Sequence, residues 1–292
     1  MILQLVASAI AGALCGLLGF YINELKLTTL SFSIAHAALA GASMSIVLGF
    51  DTTYTAISLA MVYALALGLL MPRVGRYSEA LSMTFFTLFN ALALAMIYLG
   101  QTTVLATARV GGILWGHILA ITPIKLALLG SVTMVLLAYI AATKRHLDAI
   151  VFDRRIAEAE GVNVYFHIVL LLLFVGLATA LTLVITGGFL LFTLLYIPIV
   201  ASAQISLRAY RRQWISSLVG SVSSAGGLII SYCLDLPVGA SIALTALAIM
   251  ALSTIARLVA NAVYRRKVKN EARRKTVATA INPRYISALL PF

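Results

Sequence analysis

One histidine, His36, lies well inside a long apolar run, and the residues at 31–41 around it are nearly all small. An imidazole at this depth can bind a metal or accept a proton. Ionisable groups inside a membrane are costly and therefore usually functional. The simpler alternative is a structural histidine that is hydrogen-bonded to a backbone carbonyl of a neighbouring helix.

A second candidate is Asp235, which lies in a turn-like segment at 231–240 between two apolar runs. Its carboxylate could cap the last apolar helix. It is equally well placed to meet a cation that enters from outside the cell. The sequence alone leaves both alternatives open.

Residues 152–162, FDRRIAEAEGV, form a charged island between two long apolar runs. Asp153 can cap the start of a short surface helix, and Gly161 can end it because glycine accepts a left-handed backbone. Docking onto a soluble partner would explain a dense cluster of both charge signs. A solvated loop that only joins two membrane spans is the alternative.

Other kinds of chemistry have no recognisable motif in this chain. The sequence has no HExxH, no GxSxG, no pair of carboxylates within one apolar run and no GxxxxGK[ST] loop. Its two cysteines, Cys15 and Cys233, form no CxxC pair. We therefore predict no catalytic residues, no permanently bound cofactor and no nucleotide hydrolysis by this chain itself.

The composition determines which elements must position these residues. Of 292 residues, 62% are hydrophobic and only 10% are charged, and the mean hydropathy is +1.05. A single soluble core cannot hide this much apolar surface, so the sequence predicts an all-α integral membrane protein. Runs long enough to cross a bilayer as helices occur at 1–22, 29–50, 53–71, 79–100, 118–142, 165–186, 189–206, 214–234 and 238–263.

These runs predict a polytopic bundle of about eight to nine transmembrane helices. The segment at 189–206 is short, follows Gly187 and Gly188, and contains Pro198, so a broken or re-entrant helix is possible there. We expect Pro72 to close the third span. The first span lacks a basic leader and a cleavage region, so we expect it to be retained.

Basic residues predict the orientation, because all Lys and Arg except Arg109 and Lys125 fall on one side of the alternation. Positive charge marks the cytoplasm, which places the amino terminus outside and the island at 152–162 inside. Residues 1–263 then form the transmembrane domain, and residues 264–292 form a basic cytoplasmic tail. The tail predicts a juxtamembrane helix held at the inner leaflet by anionic lipid. Topology and lipid account for the net charge of +12, so we expect no nucleic-acid partner.

Four segments, in this order, resemble signatures of the permease subunits of ABC importers for zinc, manganese and iron. The run at 31–41 is similar to G-D-A-L-S-H-A-x-x-P-G, and 114–122 is similar to L-F-G-x-I-L-x-V-S. The island resembles D-x-x-x-A-x-x-x-G-V through Asp153, Ala157, Gly161 and Val162. The run at 232–240 resembles Y-x-x-D-L-P-x-G-A. The resemblance extends to about Arg257.

This resemblance implies a homodimeric permease in the cell membrane of a prokaryote. It implies two cytoplasmic ATPase subunits that carry the ATP, an extracytoplasmic substrate-binding protein, and alternating access driven by ATP binding. The island would be the coupling helix, capped by Asp153 and carrying Ala157, with charged contacts from Arg154, Arg155, Glu158 and Glu160 and its turn at Gly161. His36, Asp235, Tyr232 and Phe32 would lie on the transport path, the first two as metal ligands.

The departures from the signature bear on the cargo, because the family's second-span aspartate corresponds to Phe32 here. Manganese prefers carboxylate and water, whereas zinc accepts imidazole, so we expect zinc more than manganese or iron. An alternative is a permease of the same architecture for a chelated metal or another small solute, with Phe32 on an apolar path. A less favoured alternative is a channel or membrane enzyme that acts without ATP, in which residues 152–162 contact nothing.

Overall fold

The computed structural model describes residues 1–100, 110–114, 121–188 and 191–281. Within these ranges all regular structure is helical, which confirms the predicted all-α class. The helices in chain order are α1 (Ile2–Glu24), α2 (Thr28–Leu48), α3 (Thr52–Val74), α4 (Ser78–Gly100), α5 (Pro123–Ala142), α6 (Lys144–Phe152), α7 (Arg154–Ala159), α8 (Val164–Thr186), α9 (Leu191–Ile205), α10 (Ala209–Leu234) and α11 (Val238–Ile281).

Seven helical segments of the described chain are long and apolar enough to cross a membrane. One of them, Thr52–Gly100, has 49 residues and contains α3 and α4 joined by a short 3-10 turn at Gly75–Tyr77. It therefore contains two of the predicted spans. The remaining predicted span corresponds to α9, a shorter apolar helix of 15 residues that directly follows residues 189–190, which lie outside the described ranges.

Several predicted boundaries were wrong. Pro72 lies inside α3, which continues to Val74, because a proline near a helix end removes a single hydrogen bond and need not stop the helix. The fifth span starts at Pro123 in the structure, and residues 118–120 lie outside the described residues. The helix predicted from 214 begins at Ala209. The last helix continues past 263 to Ile281, and the division into a transmembrane domain and a basic tail at 263/264 stays a prediction.

The core of the bundle is formed by α1, α2 and α8, the three most buried spans. Small residues allow α1 and α10 to approach closely, and Gly12 of α1 faces Gly220 of α10 backbone to backbone. Hydroxyl groups then bond across the contact: the Ser8 and Ser224 oxygens are 2.6 Å apart, and Ser216 donates to the Gly16 carbonyl at 2.7 Å. Without a hydrophobic force between helices in lipid, such close packing and hydrogen bonding hold the bundle together.

One end of the bundle carries the turns at 25–27, 143–163 and 206–208, and we call it the basic end. Arg212 at the start of α10 donates to the Glu24 carboxylate at 2.6 Å, and Lys144 lies 4.4 Å from the centre of the Tyr210 ring. These turns therefore share one end of the bundle, as the predicted alternation requires. That this end faces the cytoplasm stays a prediction.

Candidate functional site

His36 lies on α2 and is only 9% exposed. Its Nδ1 is 3.1 Å from the Phe32 carbonyl oxygen of the same helix. A carbonyl only accepts hydrogen bonds, so Nδ1 must carry the proton in this bond and Nε2 is left with the lone pair of the neutral ring. The simpler alternative drawn from the sequence was a structural histidine bonded to a carbonyl of a neighbouring helix. His36 does bond to a backbone carbonyl, but that carbonyl belongs to its own helix.

Three phenylalanine rings surround the His36 imidazole. The ring of Phe86 on α4 meets it edge-on with centroids 4.3 Å apart, and that of Phe192 on α9 stacks at 5.1 Å. Phe32, one turn earlier on α2, lies 5.0 Å from His36 and 4.2 Å from Phe192. We call Phe32, Phe86 and Phe192 the aromatic collar. It joins α2, α4 and the short α9 around a single imidazole.

Hydroxyl groups lie on α2 on either side of the collar residue Phe32. Ser31 is 2.9 Å from the Tyr196 hydroxyl of α9, and Ser33 accepts a bond from the Tyr63 hydroxyl of α3 at 3.0 Å. A buried hydroxyl needs such a partner, because leaving it unpaired costs free energy. The hydrogen bonds fix α3 and α9 against α2, and α9 carries Phe192 of the collar.

The other two predicted path residues lie elsewhere. Asp235 ends α10 in a left-handed conformation with φ +51°, so it is the C-cap of α10 and not a cap of the last span. Its neighbour Tyr232 is 71% exposed. No hydrogen bond or ion pair joins Asp235 to His36 in the described structure. The structure therefore brings Phe32 and His36 together but leaves Tyr232 and Asp235 at an exposed turn.

No group of three His, Cys, Asp or Glu side chains that could hold a metal occurs among the residues searched, namely the described ones. A cavity of about 530 Å³ between α2 and α3 is lined by mainly apolar residues with Asp51 at its edge, and His36 is not among its lining residues. The segment at 115–120, with the Trp115 and His117 of the second signature, lies outside the described residues. Within the described chain, His36 alone offers a nitrogen ligand in the collar.

The charged island folds as predicted into a short helix. The Asp153 carboxylate accepts from the backbone N–H of Arg155 at 2.8 Å and of Ile156 at 3.2 Å, and so caps α7. Gly161 follows with φ +84°, while the Val162 N–H bonds to the Ala157 carbonyl at 3.0 Å. Both the Asp153 cap and the Gly161 ending are therefore confirmed.

The side chains of α7 divide into an anchored set and a free set. Ala157 is fully buried against the bundle, and partial burial lowers the pKa of the Arg154 guanidinium, an effect that Glu158 partly offsets. Arg155, Glu158 and Glu160 are exposed. Phe152 and Ile156 are also exposed, by 82% and 48%. Two large apolar side chains and three charged ones are therefore exposed together on this short segment.

The model of the ABC 3 transport family matches residues 1–257 of this chain. The chain belongs to the ABC 3 transport family. The match includes both the His36 site and the α7 segment, and it ends before the basic tail. The family assignment made from four short motifs is thereby confirmed, as is a location in the cell membrane.

Known relatives of this ABC 3 family member cover most of its length. A probable metal transport system membrane protein of Chlamydia pneumoniae is 26% identical over 248 residues, which cover 83% of each chain. The manganese import system permease protein ScaB of Streptococcus gordonii is 25% identical over 251 residues, covering 85% of this chain and 88% of ScaB. The solved structure of PsaBC from Streptococcus pneumoniae in complex with Fab superposes with a TM-score of 0.74 at 24% identity, over 86% of this chain and 89% of that one, which supports the fold.

The cap of α7 in this ABC 3 family member can be tested by removing it. Asp153→Ala is expected to destabilise α7 by about 1 kcal/mol, because two backbone N–H groups lose their acceptor. Hydrogen exchange should then speed up about fivefold over residues 154–159. Asp153→Asn is the control, since asparagine keeps the accepting oxygen; equal exchange in wild type and Asp153→Ala would contradict the capping role.

Proposed function

We propose that this chain is the membrane-spanning permease subunit of an ATP-driven ABC importer whose cargo is a divalent transition metal. The observation that carries the proposal is the ABC 3 family match over residues 1–257. The names of its relatives agree, since they include a probable metal transport protein and a manganese import permease. The permease has no catalytic site of its own in this proposal and depends on a separate ATPase.

The proposed machine has two copies of this chain, two cytoplasmic ATPase subunits and an extracytoplasmic binding protein that delivers the metal. The α6–α7 segment supports the ATPase contact, because Phe152 and Ile156 expose apolar surface next to Arg155, Glu158 and Glu160. Burial of Ala157 fixes α7 to the bundle. A displacement of α7 by the ATPase would therefore be transmitted to α8 and the core. ATP binding would thereby switch the side of the membrane to which the path opens.

Among divalent metals we favour zinc over manganese and iron. The His36 site offers an imidazole and nearby hydroxyls, and no carboxylate contacts it in the described structure. Zinc accepts imidazole readily, whereas manganese prefers carboxylate and water. The manganese named for a relative such as ScaB belongs to that protein, and Phe32 stands here in place of the aspartate of the family signature.

A chelated metal or other small organic solute is the second candidate. The aromatic collar favours it, because three phenylalanine rings around His36 suit an apolar ligand surface better than a hydrated ion. A channel that acts without ATP is less well supported, since it gives no reason for Phe152 and Ile156 to be exposed at the basic end.

Co-purification tests the assembly. This chain, expressed together with an ABC ATPase and a binding protein from the same organism, is expected to form a stable complex with the ATPase. The double variant Phe152→Ser with Ile156→Ser should lose the ATPase, while Phe166→Ser, an exposed residue of α8, should keep it. Equal ATPase capture by both variants would contradict the proposed contact.

Selectivity is expected to change when the carboxylate is restored. Phe32→Asp places a carboxylate, a metal ligand, near His36. It should raise the uptake of manganese relative to that of zinc about tenfold, which corresponds to a change in selectivity of about 1.4 kcal/mol. Phe32→Asn is the matched control, because it loses the same ring and adds no charge. The measurement is uptake of each metal into vesicles, and equal selectivity of the two variants would rule out a direct role of position 32 in metal choice.

A further inference from the structure

Two of the four histidines of the chain meet at the basic end, away from the His36 site. His146 lies on the first turn of α6 and is exposed, while His167 lies on the first turn of α8 and is 5% exposed. Their rings contact edge to face with centroids 5.4 Å apart. Neither residue takes part in the proposed transport path.

One ring nitrogen of the buried His167 already has a hydrogen-bond partner. The Nδ1 of His167 is 2.6 Å from the Tyr139 hydroxyl of α5, which fixes the ring orientation. In the tautomer in which Nδ1 donates its proton to the Tyr139 oxygen, Nε2 keeps the lone pair that a metal needs, and such a bond on the other ring nitrogen is the usual arrangement for a metal-binding histidine. No hydrogen bond to Nε2 of His167 or to either nitrogen of His146 is present in the described structure. Each of the two contacting imidazoles therefore has at least one ring nitrogen without a hydrogen-bond partner in the described structure.

We propose that His146 and His167 form a binding site for a divalent metal of the zinc, copper and nickel class at the basic end of the permease. Both ligands are imidazoles and no carboxylate contacts them in the described structure, so the site should bind Zn²⁺ and discriminate against Mn²⁺ and Mg²⁺. Water completes the coordination on the exposed side of His146.

The position of the pair suggests what bound metal would do. His146 is on α6 and His167 is on α8, and the chain between them contains α7 with Asp153 and Ala157. A metal that joins the two rings would close this loop and restrain α7 relative to α8. If the pair faces the cytoplasm, zinc accumulating there would slow coupling and so limit its own import. This consequence rests on the proposed function, whereas metal binding itself does not.

Zinc titration of the purified full-length permease tests the site directly. A His36→Ala background removes the path histidine, and calorimetry then measures Zn²⁺ binding with and without His146→Ala. We expect His146→Ala to weaken binding at least about tenfold, and Mn²⁺ to give no comparable heat. Because His146 is exposed, this variant should fold normally; His146→Cys should restore binding through a thiolate. Unchanged zinc affinity in His146→Ala would overturn the proposal.

The regulatory consequence is measured on the permease–ATPase complex, with no other histidine changed. Zinc should inhibit ATP hydrolysis in the wild type, and His146→Ala should need at least about tenfold more zinc for the same inhibition. Identical inhibition curves would overturn the regulatory consequence. A complex that binds zinc at His146 but transports no metal would keep the site and contradict the proposed function, so the two failures are distinguishable.

Discussion

Replacing His36 with alanine is expected to reduce metal uptake by at least about tenfold, the usual scale for loss of a group that supports metal binding. His36 is the only imidazole within the aromatic collar of the described structure, and its Nδ1 bond to the Phe32 carbonyl leaves Nε2 for a ligand. ATPase activity of the assembled complex should persist, because the ring contacts of His36 in the described structure are with α2, α4 and α9 and none of them is with α7.

Ser43→Ala is the matched control for this variant. Ser43 is buried on the same helix, and its hydroxyl bonds only to the Leu39 carbonyl of that helix at 2.9 Å. Its replacement should leave uptake within about twofold of wild type, because the hydroxyl bonds only within its own helix and its loss should change stability little. Wild-type uptake by His36→Ala, measured in vesicles with equal amounts of complex, would remove His36 from the path.

Substituting Gly12 with alanine is expected to destabilise the bundle by about 3 kcal/mol, the upper end for overpacking. An added Cβ would lie 2.7 Å from the Ser224 Cβ and would overlap the Gly220 carbonyl oxygen, so α1 and α10 must separate. That separation also breaks the Ser8–Ser224 hydrogen bond. Thermal unfolding of the purified permease in detergent measures the loss.

Gly130→Ala is the control, because a Cβ at Gly130 on α5 meets nothing within 4 Å. Alanine is the better helix former, so this variant should be as stable as wild type or slightly more so. Equal unfolding temperatures for Gly12→Ala and Gly130→Ala would show that the α1–α10 contact does not limit stability.

The sequence was most informative where one local rule decides the structure. Asp153 and Gly161 determine the ends of α7 through capping and a left-handed turn, and both could be predicted from residue types alone. Long apolar runs likewise predicted the spans. Predicted helix ends were wrong where a local signal competes with the neighbouring helical turns. At Pro72, for example, the helix continues beyond the proline to Val74.

The collar could not be predicted in the same way. Phe86 and Phe192 come from α4 and α9, which lie distant in sequence from His36, and only tertiary packing brings them together. The i, i+4 pair Phe192 and Tyr196 on the short α9 was an available signal for an aromatic face. Phe152 and Ile156 were also not predicted as contact residues. The charged residues around them favoured a prediction of ionic contacts.

Transport in a defined system tests the central claim most directly. The permease, its ATPase and its binding protein are reconstituted into vesicles, and uptake of Zn²⁺, Mn²⁺ and Fe²⁺ is measured with ATP and without it. We expect uptake that requires ATP and the binding protein, with Zn²⁺ carried in preference to the other two. A complex that hydrolyses ATP yet moves none of the three ions, or that moves an ion equally well without ATP, would contradict the proposed metal importer.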